Sequence, residues 1–247
     1  MPRVIQLVSS ALTLFALAAF AASCGSTTSQ YRVVQTIPDS PVNFDISVNG
    51  SNVFTNVGFE ATEPSSGYKS IGSGADPIAV FQTGTTTPVI SSSSLNLSSG
   101  TKYTVFLMGR YQGTNTYAPS VFLKTDNNTA PASGNGSFRF VHASPSAPVG
   151  LDASNGVDIY IEPAGTGING TPTVPSLQFG AASAYIPEGA EANGTPYTIF
   201  VTANGETIPF VTYPFTLNSG SIRTIVLVDI PGGGELSGQP MILSDLN

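Results

Sequence analysis

The chain repeats itself, and that repeat limits its possible folds more than any other feature. YRVVQTIPDSPV (Tyr31 to Val42) lies over FRFVHASPSAPV (Phe138 to Val149), with Arg32 on Arg139, Val34 on Val141, Pro38 on Pro145 and Pro41 on Pro148, all 107 positions apart. FDISV (Phe44 to Val48) then meets VDIYI (Val157 to Ile161) at a shift of 113, and SLNLSSGTKYTVFLM (Ser94 to Met108) meets PFTLNSGSIRTIVLV (Pro214 to Val228) at 120. Block order is kept and the shift only grows, as expected of a tandem duplication with insertions in surface loops. Two domains of about 100–150 residues also suit a chain of 247 residues.

Each copy reads as β-structure. Only 9% of residues are charged, and there are 26 Gly and 19 Pro, a composition that favours short strands joined by turns. Arg32 to Thr36 forms a first strand that stops at Pro38 and Pro41, which lack the N–H a ladder needs. Phe44, Ile46 and Val48 alternate and run into Asn49-Gly50, a hairpin signal because both residues tolerate positive φ. About seven short strands per copy predict an all-β protein made of two tandem immunoglobulin-like antiparallel β-sandwich domains. No Trp is present, so the Cys–Trp–Cys core of true immunoglobulin domains is not expected.

The N-terminus reads as an export signal. Arg3 precedes an apolar stretch rich in Leu, Ala and Phe, and Ala21-Ala22-Ser23-Cys24 resembles the bacterial lipobox, with Ala21 where Leu is usual. Cys24 is the only cysteine and cannot form an internal disulfide, so it is the expected lipidation site. A retained membrane helix over Val4 to Ala22 is the alternative, weakened by Gln6, Ser9 and Ser10. The organisation expected is a signal peptide over 1–23, a polar tether over 24–30, one sandwich over 31–125, a linker over 126–136 and a second sandwich over 137–247. The predicted location is the cell envelope, lipid-anchored at the outer membrane or cell surface, with the periplasmic side as the alternative. Removal of Arg3 leaves 7 basic against 15 acidic residues, a charge of −8, with no basic run. That excludes nucleic acid as an expected partner and disfavours anionic headgroups.

R-F-V-H-A-S-P-S-A-P-V from Arg139, V-D-I-Y-I from Val157 and G-S-I-R-T-I-V-L from Gly220 resemble the bacterial domain of unknown function 4397. Its members open with R-x-x-H-A-S-P-x-A-P and continue V-D-V-Y. The second copy is the closer match, because the first carries Gln35-Thr36-Ile37-Pro38 in place of His-Ala-Ser-Pro. The resemblance implies an exported, often lipid-anchored Ig-like sandwich without an established activity, and it carries over no catalytic residue.

Candidate chemistry is sparse. His142, the only histidine, could serve a hydrolase with Ser144, Ser146 or Asp158, since triads are defined by geometry rather than spacing. However, Gln35 takes its place in the first copy and no G-x-S-x-G elbow occurs. His142 is expected instead to pin the Pro turn, as the Gln35 amide could. Asp45 and Asp158 are equivalent positions in different copies and so make a poor glycosidase pair. They are expected to accept backbone N–H groups, or to meet Arg32 and Arg139 within each copy. Arg32, Asp45, Arg139, His142, Pro145, Pro148 and Asp158 therefore form a structural signature. Asp152, Ser154 and Asp158 faintly suggest a calcium loop but lack its order and its downstream Glu, so no metal or other cofactor is expected. Arg110, Tyr111 and Tyr117, in RYQGTNTY, are the candidate ligand loop. The functional expectation is a non-enzymatic binding, adhesion or scaffolding module that meets an envelope protein or glycan. The alternative is a secreted hydrolase of polysaccharide or ester with its site at the domain junction.

Overall fold

The computed structural model describes residues 27–147, 156–232 and 237–246. The expected lipobox with Cys24, and Asp152, Ser154 and Pro148, lie outside the described residues. Nine strands make the first sandwich: β1 (Thr28–Gln35), β2 (Phe44–Val48), β3 (Ser51–Val57), β4 (Thr62–Glu63), β5 (Lys69–Gly72), β6 (Gly74–Gln82), β7 (Pro88–Leu97), β8 (Lys102–Met108) and β9 (Ser120–Thr125). The second has β10 (Asn135–His142), β11 (Val157–Pro163), β12 (Val174–Leu177), β13 (Ile186–Gly189), β14 (Thr195–Ala203), β15 (Pro209–Leu217), β16 (Ile222–Val228) and β17 (Gln239–Leu246).

The two copies have one topology. Sheet order β3-β2-β6-β7 in the first corresponds to β12-β11-β14-β15 in the second. Likewise β4-β1-β8-β9, with β5 also on β1, corresponds to β13-β10-β16-β17. Both copies depart from the antiparallel expectation at one ladder. β1 runs parallel to β8, and β10 parallel to β16, with Arg32 opposite Thr104 and Arg139 opposite Thr224. The boundaries also move. β1 takes up three tether residues, because Gln30 pairs with both Lys102 and Ser70, and Asn135-Gly136 join β10 from the expected linker.

Strand parity explains the packing. Tyr31 and Val33 of β1, with Tyr103, Val105 and Leu107 of β8, face the first sandwich core. Phe138 and Phe140 of β10, with Ile225 and Leu227 of β16, face the second. The alternate residues point the other way and form a third apolar cluster: Val34, Phe106, Met108, Val141, Ala143, Val226, Val228 and Leu243. The inner sheets of the two sandwiches thus pack on each other. β1, β8, β10 and β16 are buried on both faces, so β8 and β16 read as near-continuous apolar runs rather than as half-buried strands, while β1 and β10 carry their arginines into the seam. Prolines fall where a ladder N–H is not needed, as in edge strands β15 (Pro214) and β17 (Pro240). Asn49-Gly50 closes the β2–β3 hairpin with φ of 53° and 73°, the left-handed pair that the sequence predicts.

Because a core of buried aromatic and aliphatic side chains joins the sandwiches, the chain should melt as one cooperative unit. Calorimetry should record a single endotherm. Phe106→Ala, which empties a fully buried site in that cluster, should cost about 3–5 kcal/mol. Two resolved endotherms in the unaltered chain would contradict the shared core.

Candidate functional site

The polar residues singled out by sequence gather at the seam between the sandwiches. Arg32 donates through Nε to Thr104 Oγ1 at 2.8 Å, through Nη1 to the Ser244 carbonyl at 2.7 Å and through Nη2 to Asp245 Oδ1. Arg139 repeats this with Thr224 Oγ1 at 2.9 Å, the Thr125 carbonyl at 2.7 Å and Asp126 Oδ1. Each arginine therefore holds a threonine of its own sandwich and a carboxylate of the other. The second oxygen of each carboxylate is also occupied. Asp126 Oδ2 accepts from Thr104 at 2.6 Å and Tyr68 at 2.8 Å, and Asp245 Oδ2 accepts from Thr224 at 2.6 Å and Tyr185 at 2.7 Å. The Arg32 guanidinium lies over the Tyr68 ring at 5.0 Å and that of Arg139 over Tyr185 at 4.8 Å.

Both carboxylate side chains are wholly buried, and the two arginine side chains are only 5% and 3% exposed. Burial alone would lower the Arg32 pKa, but Asp126 and Asp245 outweigh it and hold the group above its ordinary value. Burial pushes the Asp126 carboxyl up, against the pull of Arg139 and Arg32. Burial likewise raises the Tyr68 and Tyr185 hydroxyls, so both remain donors at neutral pH.

The Arg–Asp pair expected within each copy does not form through Asp45 and Asp158. Asp45 accepts N–H groups from Asn56 at 2.9 Å and Gly84 at 3.0 Å and the Thr83 hydroxyl at 3.0 Å. The Asn56 and Gly84 N–H groups hold its pKa below the ordinary carboxylate value, against a smaller cost of burial. Asp158 accepts from Ser176 at 2.7 Å and Gly205 at 2.8 Å. These carboxylates brace loops on the outer sheets, while the arginines point from the inner sheets into the seam. Their true partners, Asp126 and Asp245, went unread because the first fell in the expected linker and the second in a strand the sequence did not predict. A signal was present: Thr125-Asp126 and Ser244-Asp245 match 119 positions apart, each after a short apolar stretch.

At the end of β10, His142 is fully buried, and its Nδ1 accepts the Ser144 N–H at 3.3 Å. Gln35 does the same at the end of β1, where its Oε1 accepts the Ile37 N–H and its Nε2 donates to the Ile37 carbonyl. His142 Nε2 is buried, and the ring stands edge-on to Phe179 at 6.0 Å. Both nearby serines are bound to Asp229. Ser144 Oγ donates to Oδ1, Ser146 Oγ to Oδ2 at 2.7 Å, and the Ser146 N–H to Oδ1 at 3.1 Å. Neither serine hydroxyl is directed at the imidazole, and that is not the geometry of a nucleophile and its base. Pro145 is buried in the same turn, and its carbonyl faces Arg110.

The candidate ligand loop closes onto the protein instead of presenting free side chains. Arg110 crosses the seam to Ser146 Oγ at 3.0 Å, Tyr117 packs on Phe179 at 5.2 Å, and Tyr111 stacks on Phe44 at 6.3 Å and meets Gln82. Gly109 starts this loop at φ 111°, where a Cβ would sit 2.6 Å from the Ala118 carbonyl oxygen, so only glycine fits. Among the described residues, no three His, Cys, Asp or Glu side chains are placed to hold a metal ion.

Fold and seam together define a tandem β-sandwich protein whose two halves clasp through equivalent residues. Residues 29–149 match the family model described as Domain of unknown function (DUF4397). The match covers the first sandwich and continues only through the opening strand and Pro turn of the second, the half for which the sequence motifs predict the closer match. No curated protein matches the chain.

Two measurements test the seam. Arg139→Ala leaves Asp126 buried without its nearest cation and should cost about 3–5 kcal/mol in chemical denaturation, as should Arg32→Ala for Asp245. Unchanged midpoints would contradict the exchange. Burial lowers the His142 pKa to about 4, from 6.5 for a free imidazole. The unfolded chain thus takes up a proton that the folded chain refuses. The stabilising contribution is complete above pH 6.5, declines as pH falls to 4 and stays lost below. The shift corresponds to about 3 kcal/mol. His142→Gln, the first copy's own residue, should flatten the stability profile between pH 6.5 and 4 relative to the unaltered chain, and identical slopes would contradict this account.

Proposed function

We propose that the chain is a lipid-anchored protein of the bacterial cell envelope, and that its two sandwiches, both copies of one domain, act as a non-enzymatic binding, adhesion or scaffolding module. The anchor is the lipobox-like Ala21-Ala22-Ser23-Cys24, whose lone thiol has no other use in an exported chain. Supporting a second copy, the strand order is the same in both halves, and Arg32, Thr104 and Asp126 correspond to Arg139, Thr224 and Asp245. The observation that carries the non-enzymatic reading is how the reactive side chains are used. His142, Ser144, Ser146, Asp158 and Asp229 are all buried in contacts that brace turns. Among the described residues no helix is long and apolar enough to cross a membrane.

Metabolic labelling with radioactive palmitate in a bacterial host tests the anchor. The chain should incorporate label, Cys24→Ser should not, and globomycin should accumulate the unprocessed form. An unlabelled chain that is still exported would remove the anchor and the envelope assignment with it.

A further inference from the structure

The two copies differ on their outward faces, where Phe81 opposite Asp45 in the first corresponds to Thr202 opposite Asp158 in the second, and most sharply at the neighbouring cross-strand pair. In the first sandwich Ser47 of β2 lies opposite Ala79 of β6, and in the second Tyr160 of β11 lies opposite Phe200 of β14. Both pairs point away from their cores, since Ile46 and Val80, or Ile159 and Val201, point inward. Tyr160 and Phe200 are only 5% and 8% exposed, so the second copy fills this face with its own aromatic side chains. Its β11–β12 connection, residues 164–173, also reaches this face, where the Asn169 N–H donates to Glu162 at 3.0 Å. The first copy has only the Asn49-Gly50 turn in that place. A groove of about 490 Å³ remains there, lined by Ser47, Asn52, Phe81, Thr86 and Ser92 among others.

The lining sets the chemistry of an occupant. Among the described residues no charged side chain borders the groove, although the chain has 15 acidic residues, so neither a cation nor an anion finds a counter-charge there. Hydroxyl and amide groups stand around Pro77, Ala79 and the Phe81 ring, while the Ile78 side chain turns into the core beneath. A purely apolar occupant would strip water from those groups without replacing its hydrogen bonds. An uncharged ligand with many hydroxyls and one apolar face satisfies both halves of the lining, and the volume is within the range of small-ligand sites. Opening on the outer sheet of the first sandwich, away from the buried seam, the groove can admit a chain that extends beyond it.

We infer that this groove binds an uncharged saccharide chain, with Phe81 against a sugar face, the exposed Asn52, Thr86 and Ser92 meeting its hydroxyls, and Ser47, only 6% exposed, on the floor. The inference rests on the reading of the protein as a binding module, and it assigns that role to the first sandwich alone.

The test uses the full chain in detergent, titrated by calorimetry with the hexasaccharides of cellulose, starch, xylan, mannan and laminarin, and with oligogalacturonate as an anionic control. At least one neutral oligosaccharide should bind and the control should not. Ser47→Tyr with Ala79→Phe, which gives that one cross-strand pair the second copy's residues, should weaken binding at least tenfold while the melting temperature stays within a few degrees. Asn52→Ala, at an exposed position, should weaken binding without affecting the fold, which keeps the test decisive should the double variant fold poorly. Absence of binding to every neutral oligosaccharide would overturn the inference. So would binding only to the anionic control, or undiminished binding in the folded double variant or in Asn52→Ala. None of these outcomes affects the palmitate result, so the groove and the envelope reading fail separately.

Discussion

The reciprocal exchange of Arg32 and Arg139 onto Asp245 and Asp126 is the interaction on which the rest of the structure depends. Four charged groups are taken almost wholly out of water, and that is tolerable only because each carboxylate also receives a threonine and a tyrosine hydroxyl and each guanidinium also reaches a threonine and a backbone carbonyl. The network needs both sandwiches. Neither copy can satisfy its own arginine with its own residues in this way, so the charges set how the inner sheets meet, and the apolar cluster around Phe106 and Val226 then excludes water from them.

Positions that correspond in the two sandwiches do different work. The turn after the first strand is tied down in both copies, but the carboxylate has changed sides. In the first, Asp39 of the turn accepts the Tyr111 N–H from the loop after β8. In the second, Asp229 after β16 accepts from Ser144 and Ser146 of the turn. Gln35 and His142 brace the residue two positions on through different chemistry. An imidazole does this as well as an amide at neutral pH, but it adds an acid sensitivity that the amide lacks. The outer sheets diverge further, with Ser47 and Ala79 leaving open a face that Tyr160 and Phe200 fill.

Much of the fold was legible because local chemistry dictates it. Apolar alternation, the Asn49-Gly50 turn and the paired prolines act over a few residues, and the 107-position repeat places them twice. The parallel ladders were not legible, since β1 and β8 meet across some 70 residues and no local signal records which neighbour a buried strand chooses. β17 was missed for a related reason. QPMILSDL has a proline and follows a glycine-rich stretch, and its place is fixed by pairing with β16 rather than by propensity.

By itself, then, the sequence determined an all-β chain built twice on one plan, with a signature of Arg, Asp and Pro repeated in each half and a single cysteine. Only the tertiary structure decided what those residues hold. The partner of Arg139 lies 13 positions away and that of Arg32 lies 213, yet the two pairs are equivalent. Charge pairing depends on distance in space and on exclusion of water, and neither exists until the two inner sheets close on each other.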